Sequence, residues 1–235
     1  MIDYITQDCL NNELTINYIC NNNRKNYYYS DDFSIDFYIK AAYEGFISIS
    51  FEQNELFVIL PEMQFDYAVL HFENLHISKK VKKLLDKKDY EFSVNKDFKT
   101  IINKINEYHL DSWIVKEYKN TLLNLENYQG SIDFELLTCS LKDKESNEII
   151  AGEIGYRIGK VYTSLSGFSS KKRKFNNYGK LQLVLLAQYL EEKGFNFWNL
   201  GHPYMKYKFD LGAVLYKREE FLNIFREQRD KKLNS

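Results

Sequence analysis

The chain has 235 residues and a formal net charge of −1, so any binding to nucleic acid requires a local basic patch. Its 19 Tyr and 17 Phe residues exclude a disordered chain, and its length suits one large domain or two smaller ones. Cys9, Cys20 and Cys139 lack metal-site spacing, which favours reduced thiols in a cytoplasmic protein. Without a signal peptide or an apolar run of about 18 residues, we expect no membrane association.

The N-terminal part predicts helices and a hairpin. Residues 1–30 are polar and rich in Asn, which predicts a loosely attached region that carries no chemistry. Ser30 or Asp32 is placed to cap a helix that ends at Gly45. Residues 46–60 contain two alternating runs separated by a polar turn, a pattern typical of a β-hairpin.

The middle of the chain predicts a basic helix and then a strand with two more helices. The helix over 78–85 carries lysines that form either a solvated face or a patch for phosphates. A strand at 90–94 precedes a helix capped by Asp97, and a further helix spans about 115–127.

The C-terminal half predicts strand, basic loop, helix and strand. Residues 132–137 and 148–161 are predicted strands, and glycines interrupt the second as if something lay close against its backbone. A leucine-rich helix over about 180–193 ends at Gly194, and a buried strand follows. Strands followed by a helix and another strand indicate an α/β (α+β) fold, a mixed sheet flanked by helices. We place a smaller N-terminal α+β domain over 1–75 and a catalytic domain over 76–235. The glycines that interrupt the predicted strand 148–161 are Gly152, Gly155 and Gly159.

A cluster of cations lies directly before the leucine-rich helix. Because a helix N-terminus offers unpaired N–H groups, this position suits a phosphate-bearing ligand. The alternative is an exposed solubilising loop. The residues that we expect to bind RNA are Lys171, Lys172, Arg173, Lys174 and Lys180.

Several stretches, in matching order and separation, resemble one family. Ala68 to Ser78 is similar to the family's segment before its basic helix, and Asp111-Ser112-Trp113-Ile114 is similar to its Thr-Trp-Ile segment. The family is the leucyl/phenylalanyl-tRNA–protein transferases. The other stretches that resemble it are 32–45, 150–159, 166–169, 180–195 and 211–213.

The resemblance implies a Gcn5-related N-acetyltransferase-like catalytic domain and transfer of Leu or Phe from aminoacyl-tRNA to a protein or peptide N-terminus. It implies no metal or redox cofactor, and we expect a monomer. Leu200-Gly201 followed by Met205–Lys208 also resembles the arginyl-tRNA–protein transferases, which adds Arg as a candidate amino acid.

The resemblance also implies site residues. Trp113 matches the position that helps to hold the aminoacyl end, although an ordinary core Trp is the competing interpretation. The family's catalytic Asp and Gln fall on Asn199 and Gly201, and a family Glu falls on Leu165. The family's Trp-Trp-Ser-Pro stretch is replaced by residues 61–64. The strand residues expected to line the site are Ser166, Phe168 and Ser169.

The chemistry at these positions needs few groups, because the ester of aminoacyl-tRNA is already activated. The protein orients two substrates, removes one proton and stabilises an oxyanion. Asn199 cannot act as a general base, but its amide can orient the amine or donate to the oxyanion. His202 is the nearest titratable group and can take the proton, unless it is only a structural histidine.

Two other functions stay open from the sequence. Lys174-x-x-Asn177-x-Gly179 is similar to the pyrophosphate loop of acyl-CoA-dependent N-acyltransferases, with its first Gly replaced. Replacement of the family's Asp and Gln also suits a non-catalytic tRNA- or peptide-binding descendant. For the transferase, we expect the tRNA 3′ end to bind where the glycine-interrupted strand meets the leucine-rich helix.

Overall fold

A computed structural model describes the chain except residues 1–2, 55, 110–112, 115, 127 and 234–235, and the side chain of Gln53. Asp111 and Ser112, which belong to the resemblance around Trp113, therefore lie outside the described residues.

The N-terminal elements are short helices and strands. In chain order they are β1 (Asp3–Tyr4), α1 (Gln7–Asn11), α2 (Glu13–Asn21), β2 (Tyr28–Tyr29), α3 (Ile35–Tyr43), β3 (Ile47–Gln53), β4 (Leu56–Glu62), β5 (Asp66–Leu70) and a 3-10 turn (Phe72–Asn74). β3 and β4 pair antiparallel, so the predicted hairpin is confirmed.

The remaining elements build the larger sheet and its covering helices. They are α4 (Lys79–Lys87), β6 (Tyr90–Val94), α5 (Phe98–Tyr108), α6 (Lys116–Leu125), β7 (Phe134–Asp143), β8 (Ile149–Ile158), β9 (Val161–Ser169), a 3-10 turn (Arg173–Phe175), α7 (Tyr178–Glu192), β10 (Phe197–Asn199), α8 (Lys206–Asp210), β11 (Val214–Lys217) and α9 (Arg218–Gln228). None of the described helices is long and apolar enough to cross a bilayer.

The central sheet is mixed. Among the described residues, seven strands lie in the order β11-β5-β10-β9-β8-β7-β6. β9 and β10 run parallel, whereas the other neighbours are antiparallel. The predicted mixed sheet flanked by helices is therefore confirmed. β5 belongs to this sheet although it precedes the predicted boundary at 75/76, and the division into two domains stays a prediction.

Capping explains where the helices begin. Ser78 caps α4, with its hydroxyl 3.4 Å from the Val81 amide. The cap of α3 is Ser34 rather than Ser30 or Asp32. Asp97 stands at the start of α5 without a side-chain capping bond, because its carboxylate accepts a hydrogen bond from Ser140 instead.

The predicted strand 148–161 is wrong as a single element. The chain turns at Gly159, which has a left-handed φ of +54°, and Val161 begins the next strand, β9. The apolar residues on both sides of Gly159 keep a strand pattern, so this pattern does not indicate the turn.

The other glycines of β8 lie against the protein itself. A Cβ on Gly152 would lie 2.8 Å from Ile101 Cδ1, and one on Gly155 would overlap the Tyr162 ring. α7 packs directly against β8, and Gln182 Nε2 of α7 contacts Cys139 Sγ of the neighbouring strand β7 at 2.9 Å, beside the buried Leu181. Our expectation of a tRNA pocket at this junction is therefore wrong, because packed side chains occupy it.

The expected loose attachment of residues 1–30 is also wrong. Ile5, Leu10, Ile16 and Ile19 are buried in the core cluster that includes α3 and α9. Arg218, at the start of α9, is buried and donates hydrogen bonds to backbone carbonyl oxygens of this region. The region is thus part of the folded body, held by long-range contacts that its polar composition does not reveal.

Candidate functional site

The central sheet opens where β9 and β10 diverge. β10 pairs with β9 only at Val161, Tyr162 and Thr163, whereas β9 continues to Ser169. In the described part of the chain, the later residues of β9 pair only with β8, which leaves one strand edge unpaired. A β-bulge at Leu165 interrupts that pairing, between Ser164 and Ser166. Bulges re-aim side chains and occur often beside active sites, so this edge is the candidate site.

A tight turn closes the end of β10. Asn199 is buried, and its Oδ1 accepts a hydrogen bond of 2.9 Å from the Gly201 amide. Its Nδ2 lies 3.4 Å from Thr163 Oγ1, so both ends of the side-chain amide contact the protein. Gly201 adopts a φ of +73°, which favours glycine. Asn199 therefore shapes the turn that carries His202.

His202 is not an isolated histidine. Its Nε2 lies 2.7 Å from Oε2 of Glu62, a carboxylate that is only 3% exposed. Glu62 ends β4 and also accepts a hydrogen bond of 2.8 Å from Asn26. The Tyr204 ring stacks on the imidazole at 5.1 Å. Sequence reasoning found His202 but missed Glu62, since only folding brings the two together.

Lys208 donates hydrogen bonds to the backbone of the same turn. Its buried ammonium donates hydrogen bonds to the carbonyl oxygens of Leu200 (2.5 Å) and His202 (2.7 Å). Burial lowers the pKa of Lys208 to about 8, against the opposing effect of the Glu153 charge. Its only signal in the sequence is its place as the last residue of the stretch Met205–Lys208, which resembles the arginyl-tRNA–protein transferases.

A second buried carboxylate, Glu153, lies on β8. It accepts hydrogen bonds from Ser164 (2.5 Å) and Tyr162 (3.3 Å), and Trp198 Nε1 donates to the same Ser164 hydroxyl at 2.7 Å. Burial raises the pKa of Glu153 to about 7, although these hydrogen bonds act in the opposite direction. Burial, followed by the Glu153 charge, raises the pKa of Tyr207 to about 12. Sequence reasoning missed Glu153, whose only local signal is an acidic residue inside an apolar strand.

The basic loop before α7 is exposed but anchored. Phe175, at its end, is buried against Tyr178 with ring centres 5.6 Å apart. Lys172 pairs with Glu148 at 2.6 Å, and the Lys171 ammonium lies 4.7 Å from the centre of the Tyr108 ring. An open cavity of about 600 Å³ unites four predicted site residues, namely Phe168, Ser169, Lys171 and Lys172.

Lys180 lines a different groove, of about 350 Å³, between α4, α7 and α8. Its ammonium lies 3.5 Å from an Asp210 carboxylate oxygen, and His76 and Tyr207 face the same space. The lysines of α4 and its C-cap are exposed, and no ion pair involves them within the described residues. They are Lys79, Lys80, Lys82, Lys83, Lys87 and Lys88.

The predicted site residues therefore fall into separate groups along β9. Asn199 pairs with Thr163, and Ser169 lies six residues further along, about 20 Å at strand spacing. Trp113 packs against the core face that Leu165 and Phe168 also cover, with its ring 5.3 Å from Tyr118. The structure thus places the turn of His202 and the basic loop at opposite ends of the open edge.

Comparison with known proteins identifies the family. The model of the family described as leucyl/phenylalanyl-tRNA protein transferase matches residues 69–226. A protein of that name from Flavobacterium johnsoniae is 27% identical over 194 residues, which cover 81% of this chain and 85% of the relative. Another, from Campylobacter jejuni subsp. doylei, is 29% identical over 161 residues, 68% of each chain. A third, from Shewanella pealeana, is 28% identical, and the match spans 67% of this chain but 63% of that protein.

Among solved structures, FemX aligns with 90% of this chain and 75% of its own at 11% identity, with a TM-score of 0.47. L-PGS from Bacillus licheniformis aligns with 71% of this chain and 65% of its own at 15% identity, with a TM-score of 0.44. Both scores are too low to bear on the site. The family match, in contrast, spans from β5 into α9 and includes the open edge of β9, the turn at Gly201 and α7. This chain belongs to the leucyl/phenylalanyl-tRNA–protein transferase family.

Proposed function

We propose that the protein transfers an amino acid from aminoacyl-tRNA to the N-terminal residue of a protein. The observation that carries this proposal is the family match over 69–226, which contains the elements around the open edge of β9. The names of the relatives suggest Leu and Phe as the transferred amino acids, and the weaker resemblance around Met205–Lys208 adds Arg. We further propose that the protein acts as a cytoplasmic monomer.

Two basic surfaces support tRNA binding. The exposed lysines of α4 and the loop of Lys171–Lys174 both border α7, one along its side and the other at its N-terminus. The chain as a whole has a net charge of −1, so these cations form a local rather than a general positive field. We assign the phosphates of tRNA to these surfaces, with Lys180 in the groove between them.

The reaction follows from the chemistry of the activated ester. The amine nitrogen of the acceptor attacks the ester carbon, and the bond from that carbon to the ribose oxygen of tRNA breaks. His202 accepts the proton that the amine must lose, and returns it to the departing ribose oxygen. No net oxidation occurs, and the protein supplies orientation and proton transfer.

The other predicted residues receive supporting roles in this proposal. Asn199 positions Gly201 and His202, because its amide is engaged in the turn. Trp113, Ser166, Phe168 and Ser169 lie along or against β9, where they would line the path of the aminoacyl end. Gly201 leaves the turn without a side chain beside His202.

The direct test uses purified protein, tRNA charged with radiolabelled Leu, Phe or Arg, and peptides that differ in their N-terminal residue. We expect label in at least one peptide, and a loss of about 100-fold in kcat for His202→Gln, in the range typical of a general base. Absence of transfer from all three charged tRNAs would refute the proposal.

The same assay separates the competing functions. The family's catalytic Asp and Gln are replaced by Asn199 and Gly201, which favours a non-catalytic descendant as the second candidate. That candidate predicts tRNA binding without transfer. Tight binding of acetyl-CoA without affinity for tRNA would instead support an acyl-CoA-dependent N-acyltransferase.

A further inference from the structure

We propose that Glu62 is a positioning residue, whose carboxylate holds the His202 imidazole so that Nδ1 takes the proton of the attacking amine. This inference rests on the proposed function, and it assigns a residue outside the family match to the site of transfer. The geometry that carries it is the 2.7 Å contact between His202 Nε2 and Glu62 Oε2.

The Glu62 carboxylate is itself fixed in place. Asn26 donates to its other oxygen, Oε1, at 2.8 Å. The side chain is 3% exposed, so little water competes for these oxygens. Asn26 and His202 thus contact different oxygens of one buried carboxylate, which fixes the orientation of the Glu62 side chain.

The contact determines which ring nitrogen is available. An ionised carboxylate only accepts hydrogen bonds, so the neutral imidazole must carry its proton on Nε2. Nδ1 then holds a lone pair, and no hydrogen-bond partner for it exists among the described residues. Glu62 therefore selects the tautomer in which the unbonded nitrogen is the basic one.

Neighbouring groups contact both the ring and the backbone of His202. Tyr204 stacks on it with 18° between the planes, and Lys208 holds the backbone carbonyl oxygen of His202. The His202 side chain is 32% exposed, so a substrate amine can approach the ring. Because Asn26 and Glu62 precede residue 69, the N-terminal part would complete a site whose other residues lie within the family match.

The test combines kinetics with a spectroscopic measurement. Glu62→Gln keeps the shape of the side chain and an acceptor oxygen but removes the charge. We expect kcat of transfer to fall about 10-fold while KM for aminoacyl-tRNA stays within about twofold, since a positioning group acts on the proton acceptor. Glu91→Gln, at an exposed position of β6, is the matched control and should retain the original kcat.

Nitrogen-15 NMR of the imidazole ring reports the tautomer directly. In the unsubstituted protein the ring of His202, assigned by its loss in His202→Gln, should carry its neutral-state proton on Nε2. In Glu62→Gln the preference for that tautomer should weaken. A ring protonated mainly on Nδ1 in the unsubstituted protein, or an unchanged kcat in folded Glu62→Gln, would overturn the inference.

These readouts keep the two proposals distinguishable. If the unsubstituted protein transfers no amino acid, the proposed function fails, and the tautomer alone then decides whether Glu62 positions His202. If Glu62→Gln does not fold, the tautomer of the unsubstituted protein again decides. Transfer by the unsubstituted protein with an Nδ1-protonated ring would refute the positioning role and leave the proposed function intact.

Discussion

The ammonium group of Lys208 donates a hydrogen bond of 2.7 Å to the backbone carbonyl oxygen of His202. A second bond reaches the carbonyl oxygen of Leu200, so one side chain from α8 fixes the turn that follows β10. The Lys208 ammonium thus fixes the backbone at His202, while the Glu62 carboxylate contacts the imidazole ring.

Replacing Lys208 should loosen this turn. We expect Lys208→Met to lower the free energy of unfolding by about 2 kcal/mol, because two buried carbonyl groups lose their donor. We also expect kcat of transfer to fall about 10-fold, as His202 loses its fixed position. Urea unfolding and the transfer assay measure the two effects. Lys206→Met, at an exposed position of the same helix, should change neither, and equal losses in both variants would contradict this role.

The buried Glu153 should make stability depend on pH. Its pKa rises from 4.5 to about 7 on folding, so between these values the folded state keeps a proton that the unfolded state has released. The free energy of unfolding should therefore fall as pH rises through this window, by up to about 3 kcal/mol from this group.

Thermal unfolding between pH 4.5 and 7 tests this dependence, and Glu153→Gln should flatten it because an amide does not titrate. The exposed Glu145→Gln is the control and should keep the slope of the unsubstituted protein. A parallel pH dependence in Glu153→Gln would show that other groups cause it.

Lys208 should affect stability in a different pH range. Its pKa falls from 10.5 to about 8 on folding, so between these values the unfolded state keeps a proton that the folded state has released. The free energy of unfolding should therefore increase as pH rises through this range.

The basic loop should contribute to tRNA affinity through counterion release. Replacing Lys171, Lys172, Arg173 and Lys174 by Ala should weaken tRNA binding and reduce the slope of log K against log salt. The expected reduction is somewhat less than one for each tRNA phosphate that the variant no longer neutralises. Filter binding from low to moderate salt measures the slope.

The lysines of α4 provide a comparison for the basic loop. If both surfaces bind phosphates, replacing Lys79, Lys80, Lys82 and Lys83 by Ala should reduce the slope as well. A variant of Lys96 and Lys99, exposed lysines outside both surfaces, should leave it unchanged. An unaltered slope in the loop variant would mean that the loop is only solvated.

Arg218 should hold the N-terminal region to the rest of the protein. Its guanidinium donates to the carbonyl oxygens of Met63 (2.5 Å) and Gln64 (3.0 Å) as well as to the residues before β2. We expect Arg218→Met to lower the free energy of unfolding by about 3 kcal/mol or more, since several buried acceptors lose their partner.

Limited proteolysis should then cut the Arg218→Met chain within residues 3–26 before the sheet is digested. The exposed Arg24→Met is the matched control and should retain the original resistance. Equal resistance of both variants would show that apolar packing of Ile16 and Ile19 alone holds the region.

The elements with local signals could be predicted from the order of residues alone. The α4 helix begins at its Ser78 cap, α7 stops before Gly194 with its left-handed φ of +81°, and the β3–β4 hairpin follows its alternation. These features depend on residues a few positions apart, so periodicity and capping are sufficient to predict them.

The predicted site residues Asn199, Gly201 and Ser166 also came from the sequence, because the stretches that resemble the family keep their order along the chain. The turn at Gly159 was not, since the residues on both sides continue the same apolar strand pattern.

The way in which distant parts meet depends on tertiary packing. Packing places β5 between β10 and β11, fills the space between α7 and the strands β7 and β8, and brings the buried Glu62 to His202. Burial, not residue type, sets the pKa of Glu153 and Lys208, and burial is a property of the whole packed chain. Contacts between residues far apart in sequence leave no periodic pattern along it. The pairing of Glu62 with His202, and the pKa values that burial gives to Glu153 and Lys208, therefore arise only in the folded chain.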